Sequence, residues 1–344
     1  MGKQRIEYID AMRGFTMILV VFAHVCYFCL GDSKMGYNAI FIIFRLPCFF
    51  MLSGWLFEPA SRKFFMTVAR HKAMVQLLPT FIFLLLLAPP PGFFHQLGAM
   101  KGGYWFTFVL FEFFILYMMI VRIGKPWTPI LAFAITITSF IYARYYDSIK
   151  SSSEGYQLLL IDVLGFLSVT TWRLFLFFYL GACMRRHFNA FIRWTTKPVV
   201  ILLICVVFFF IASTSHKDNL WFEMFRYYVG GVSGMIMIFT LFRLLYTSPI
   251  IHHPCSIFHH PSTILRYIGT RTLDIYLLHY FFLPRFLMEY APLLQTYNNR
   301  LLEFVVIMVI SLIILVLCLI TSYVIRLSPF LGHYLFGVQR TSNR

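Results

Sequence analysis

Charge is scarce in this chain. Of its 344 residues only 12% are Asp, Glu, Lys or Arg, and the acidic ones number 13. With 60% hydrophobic residues beside them, that scarcity excludes a water-soluble domain, which needs a charged surface around its core. No internal repeat with a period of roughly 20–50 residues is present. The seven cysteines make no disulfide framework. Cys48, Cys183, Cys205 and Cys318 fall in or at the ends of apolar runs. Cys26 and Cys29 sit three apart on one helical face, a poor disulfide geometry, and read as a buried apolar pair. The first apolar segment carries internal charges and lacks a small-x-small site, so it reads as a retained span and not a cleaved leader.

What the chain does have is apolar runs of spanning length, about 17–25 residues. They cover 10–30, 38–57, 73–89, 104–121, 127–143, 160–183, 198–213, 228–246, 264–283 and 303–325. The third is short and ends at "LAPPPG", where proline lacks the N–H a helix needs. The expected fold is an all-α polytopic membrane bundle of about ten transmembrane helices, a single domain over 1–344. Placing both termini in the cytoplasm leaves 17 of the 29 Lys and Arg residues on the inner side, counting Arg243 and Arg266 at the inner ends of their runs, and 8 in outer segments, the bias expected of cytoplasmic loops. Reporter tags at Phe65 and Ala190 are therefore expected to score as cytoplasmic, and one at Ser152 as external. A cytoplasmic score at Ser152 would contradict the arrangement.

The formal net charge of +16 has two readings. Basic loops lie against anionic lipid headgroups, or they meet a cytoplasmic anionic ligand such as a nucleotide-bearing cofactor. Spread over many short loops, it does not read as a nucleic-acid surface.

Polar groups inside the spans are the main anomaly. "DAMRGFTMILVVFAHV" (10–25) places Asp10, Arg13 and His24 within roughly 60° of one another at about 100° per residue. A charged stripe facing lipid costs a few kcal/mol per group, so this one must face the bundle interior or a wet cavity. Arg13 and His24 are about 16 Å apart along the axis. Asp10 and Arg13 could be a plain i,i+3 pair at a helix start, and His24 a hydrogen-bonded interior histidine. In the second span, "FRLPCFFMLSGWLF" (44–57) holds Arg45 away from either end. Pro47 frees a carbonyl, and Ser53-Gly54 permits close helix approach.

These passages resemble the membrane-bound acyltransferase family 3, integral-membrane O-acyltransferases that decorate surface polysaccharides and lipopolysaccharide. That family opens with Arg, ten residues, then His, here Arg13 and His24. Its second span carries a Pro-x-Phe-Phe-x-x-Ser-Gly core, here "PCFFMLSG" (47–54). Softer matches are "GGYWFTFVLFEFFILY" (102–117), "RLFLFFYLGAC" (173–183) and "LRYIGTRTLDIYLLHYFF" (265–282), where Thr272 or Asp274 stands in place of a common serine. Many members of that family carry an extracellular hydrolase-like domain after the last span; here none is expected, and the membrane unit, alone or with a partner, is expected to complete the transfer.

The resemblance implies transfer of an acyl group, acetyl being the expected one, from cytoplasmic acyl-CoA to a hydroxyl of a surface glycan or lipid-linked sugar in the cell (inner) membrane. His24 is the expected base, its imidazole having the pKa for the task, with Asp10 steadying Arg13. Arg13 and Arg45 are the expected donor-binding cations, since a guanidinium fork fits phosphate. Ser53, His279 and Glu112 are candidate cavity-lining groups. Acyl-CoA is a co-substrate, no permanently bound cofactor or metal is expected, and the oligomeric state stays open, a homodimer being one option. An exporter of polysaccharide or small anions, and a lipid- or glycan-binding accessory subunit, are the rival readings.

Arg271 and Asp274 read as an i,i+3 pair, with His279 about 140° away from Asp274. "IIHHPCSIFHHP" (250–261) gathers His252, His253, Cys255, His259 and His260 without ordinary metal-ligand spacing, and reads as an interfacial loop.

Overall fold

A computed structural model describes residues 6–88, 101–124, 126–214, 219–247 and 259–337, with residues 259–261 described by their backbone alone. Every regular element among them is helical. The helices are α1 Glu7–Cys29, α2 Asn38–Phe57, α3 Phe65–Lys72, α4 Leu78–Leu87, α5 Trp105–Ile123, α6 Trp127–Ser151, α7 Tyr156–Phe166 and α8 Phe175–Arg186. Then come α9 Phe188–Thr195, α10 Pro198–Ser213, α11 Leu220–Thr247, α12 His259–Thr270, α13 Thr272–Leu278, α14 Ala291–Thr296, α15 Arg300–Leu327 and α16 Pro329–Phe336.

Seven helical stretches among the described residues are long and apolar enough to cross a membrane, and nine if each of two bent pairs counts as one span. The run at 160–183 is one such pair, bent by 45° where Ser168 adopts a left-handed φ of 52°. The run at 198–213 is preceded by α9 at 82°. The run at 264–283 is not one continuous helix. Arg271, at φ −115° and ψ 17°, separates α12 from α13, and a 3₁₀ turn at His279–Phe281 follows. The third run starts earlier than expected, because one π-turn at Ala73–Leu77 joins α3 to α4.

The chain forms two compact units that divide within α2, between Phe49 and Phe50. The first comprises residues up to 49, 189–217 and 225–325. Its centre is the pairing of α1 with α12. A Cβ added to Gly14 would fall on the carbonyl oxygen of Leu265, and one added to Gly269 on that of Asp10. Each oxygen belongs to the residue four before the opposing glycine, and the two stretches meet again ten residues further on in both, at His24 and His279, so α1 and α12 run parallel and cross where both lack side chains. Gly230 and Gly234 give α11 a similar seat, beside Ile43, Phe44, Phe208 and Ile211. On α15, Ile307, Ser311, Ile314, Leu315, Cys318 and Ser322 form a buried helical stripe, while Val309, Ile313, Val316 and Ile320 are exposed. An apolar outward face is what a bilayer requires.

The second unit comprises residues 50–188, 218–224 and 326–344. It repeats the glycine device. Gly54 meets the Phe178 carbonyl and Gly181 meets the Met51 carbonyl, so the second half of α2 packs tightly on α8. Around that crossing Phe50, Phe57, Phe113, Phe175 and Phe178 form a buried aromatic core. Glu58, 4% exposed, pairs with Arg62 at 2.8 Å and Arg186 at 3.4 Å. Lys101 donates to the Phe166 carbonyl and the Ser168 hydroxyl, both at 2.7 Å. Burial holds its ammonium below the ordinary lysine range, partly offset by the nearby Glu112 carboxyl.

Candidate active site

The glycine crossing sets the register of the first unit. Gly14 and Gly269 are 255 residues apart, and so are His24 and His279. Ten residues beyond the crossing along each of the two paired helical segments, the two imidazoles meet. His24 Nδ1 lies 2.6 Å from His279 Nε2, with the ring planes 9° from parallel.

The hydrogen-bond partners assign the protons. His279 Nδ1 is 3.0 Å from the Ile275 carbonyl, which only accepts, so Nδ1 carries hydrogen. In the neutral ring, His279 Nε2 is then an acceptor, and His24 Nδ1–H donates to it. The lone pair of His24 is thereby placed on Nε2. His279 is fully buried and His24 half-buried. Among the described residues Nε2 of His24 has no hydrogen-bond partner. Tyr280, 5% exposed, lies against both rings, 4.1 Å from His279 and 5.2 Å from His24 between centroids.

At the start of α1, Arg13 is braced from two sides. Its Nη1 is 3.5 Å from Asp10, and its Nη2 donates to the Thr272 hydroxyl at 2.8 Å. Thr272 is within reach because the break at Arg271 starts α13 there. Asp10 is 6% exposed, and the Arg13 side chain 24%. Arg13 and His24 thus line one side of α1 where α12 and α13 pack, as the helical spacing requires.

The other expected site residues make separate contacts, Arg45 being the one whose charge acts on His24. Arg45, 9% exposed, donates through Nη1 to the Asn38 side chain at 2.9 Å and to the Leu19 carbonyl at 3.5 Å. Leu19 is about 120° round α1 from Arg13 and about 140° from His24, so Arg45 addresses a different face of that helix. Asn38 is itself oriented by donating to the Ser33 carbonyl at 2.6 Å. Ser53 and Glu112 belong to the second unit. Ser53 is half-buried beside the α2–α8 crossing, and Glu112 accepts from the Trp172 indole at 2.8 Å. Asp274 accepts from Ser322 and lies 3.9 Å from Arg271, apart from the histidine pair. No group of three or more potential metal ligands occurs among the described residues. The histidine-rich stretch 250–261 lies outside them, apart from the backbone of its last three residues.

Sequence reasoning missed Thr272, Tyr280 and the Ile275 carbonyl as members of the arrangement. The i−4 spacing of Ile275 from His279 was a readable sign, since a helical histidine can reach that carbonyl. Nothing in the sequence marked Tyr280 apart from nineteen other tyrosines.

No curated protein and no solved structure matches the chain. Residues 6–320 do match a family model, the acyltransferase domain, a stretch that takes in the Arg13–His24 helix, both close glycine crossings and the His279 turn. The chain therefore belongs to that family of membrane acyltransferases, and it is an acyltransferase transferring groups other than amino-acyl groups.

Proposed function

We propose that this protein is an integral-membrane O-acyltransferase of the cell (inner) membrane. It moves an acyl group, acetyl in the first instance, from cytoplasmic acyl-CoA to a hydroxyl of a surface glycan or lipid-linked sugar. The observation that carries this reading is the histidine pair, in which His279 and the Ile275 carbonyl set the tautomer that leaves a lone pair on His24 Nε2.

In the reaction, His24 Nε2 takes the proton of the acceptor hydroxyl as its oxygen attacks the thioester carbon. The new C–O bond forms, the C–S bond breaks, and the departing CoA thiolate recovers the proton from the imidazolium. Throughout, His24 Nδ1–H keeps its bond to His279. The pair works with one added proton and not two, because a second would set two N–H groups against each other at 2.6 Å. His279 is a positioning residue. Arg13 supplies a permanent cation at the other end of the stripe for the donor phosphates, and Asp10 and Thr272 hold its fork. Arg45, held by Asn38 and near enough for its charge to act on the His24 ring, is the second cation proposed for the donor.

The direct test is mass spectrometry of surface glycans from cells with and without the gene. Loss of one acetyl mass from a defined sugar supports the reading, and an unchanged glycan profile contradicts it. Arg13→Lys keeps the charge and loses the planar fork. It is expected to weaken donor affinity about tenfold, or ~1.4 kcal/mol, at unchanged folded yield. Parallel loss of yield and activity would instead make Arg13 a purely structural partner of Asp10.

A further inference from the structure

Arg243 sits near the end of α11, among the contacts that dock this helix in the first unit. Phe239 meets Tyr8 at 5.6 Å and Phe242 meets Phe15 at 5.4 Å. One turn on, Tyr246 donates to the Ser262 carbonyl of α12 at 2.9 Å. These contacts bracket Arg243 and set it at the level of the Asp10–Arg13 turn. It is 8% exposed, and its Nε is enclosed without an acceptor. Among the described residues its guanidinium makes no hydrogen bond or ion pair. The carboxylates at this end face other cations, Asp10 facing Arg13 at 3.5 Å and Glu7 facing Arg266 at 2.8 Å.

A guanidinium does not shed its proton to escape burial, and an enclosed charge without a counter-charge is strongly unfavourable. Its donors form a rigid fork whose best partners are carboxylate and phosphate oxygens. We propose that Arg243 is the buried cation of a phosphate-binding site at the end of the unit where α1 begins. Its ligand is a phosphoryl oxyanion, carried by the acyl donor or by a phospholipid headgroup. The first source rests on the acyl-CoA reading above; the second does not.

The test compares wild type with Arg243→Gln and Arg243→Lys, purified whole in detergent. Titration uses CoA and phosphate-free pantetheine, and thermal unfolding is followed with phosphatidylglycerol or phosphatidylcholine added. A donor site predicts that Arg243→Gln weakens CoA binding tenfold or more, that Arg243→Lys is intermediate, and that pantetheine binding is unmoved. A lipid site predicts unchanged CoA binding with loss of the stabilisation specific to phosphatidylglycerol. CoA binding and lipid stabilisation both equal to wild type would overturn the proposal. Should Arg243→Gln not fold, Arg243→Lys carries the same comparison. Phenylglyoxal labelling of Arg243 in the wild type adds to it, and a lack of protection by either CoA or phosphatidylglycerol overturns the proposal. A wild type that binds no CoA refutes the acyl-CoA reading alone, leaving the lipid comparison to judge Arg243.

Discussion

Alanine at His24 is expected to lower acyl transfer by about 10²–10⁴-fold, the range for loss of a general base, while the protein still inserts, folds and binds acyl-CoA. The separation is expected because His24 lies about 16 Å along α1 from Arg13, too far to share one phosphate contact with it. His279→Ala should cost less. The base remains, but the acceptor that fixes its tautomer through a 2.6 Å contact is gone, and Nδ1 and Nε2 then compete for the proton. The His279 variant should therefore show a lower kcat with donor affinity unchanged. Coincident loss of donor binding and transfer in His24→Ala would make His24 a positioning group instead.

Gly269→Ala is expected to be the most damaging single methyl in the first unit. The new Cβ would fall on the Asp10 carbonyl and lie 3.1 Å from the Gly14 nitrogen, so backbone must move. Ordinary overpacking costs about 1–3 kcal/mol when side chains can give way. Here no flexible side chain stands in the way, and the cost should lie at or above that range. Losses of this size lower abundance severalfold. The fraction that does fold should also be poorly active, since the same crossing aligns His24 with His279. Gly165→Ala is the control, because its Cβ would meet only the Tyr146 hydroxyl, at an ordinary 3.7 Å. Equal expression and activity of the two variants would contradict the role given to the crossing.

Helical periodicity alone placed Asp10, Arg13 and His24 on one stripe of α1, and the polar cost of lipid turned that stripe inward. It also separated His279 from the Arg271–Asp274 pair. What periodicity does not contain is register between helices. The meeting of His24 with His279 depends on two glycines 255 residues apart, each unremarkable in its own run. Arg45 shows the same limit. Its depth in the membrane followed from its position in α2, but its direction depends on which face of α1 that helix meets. Glu112 was an anomaly of polarity that a neighbour, Trp172, satisfies locally. The broken segment at 264–283 looked continuous because Thr270, Arg271 and Thr272 carry little local signal, although the break is what delivers Thr272 to Arg13. The buried Arg243 was legible only as one basic residue among 29, since its isolation is a property of packing.

The most direct measurement of the central claim is acyl transfer by purified protein, using labelled acyl-CoA and surface glycan extracted from cells lacking the gene. Wild type and His24→Gln, matched for folded protein and CoA affinity, are compared across pH. If His24 is the base, the wild type transfers label and loses activity on the acid side as the imidazole takes up a proton, while His24→Gln transfers none above background at any pH. Transfer by His24→Gln at the wild-type rate, with the same acid limb, would contradict the account.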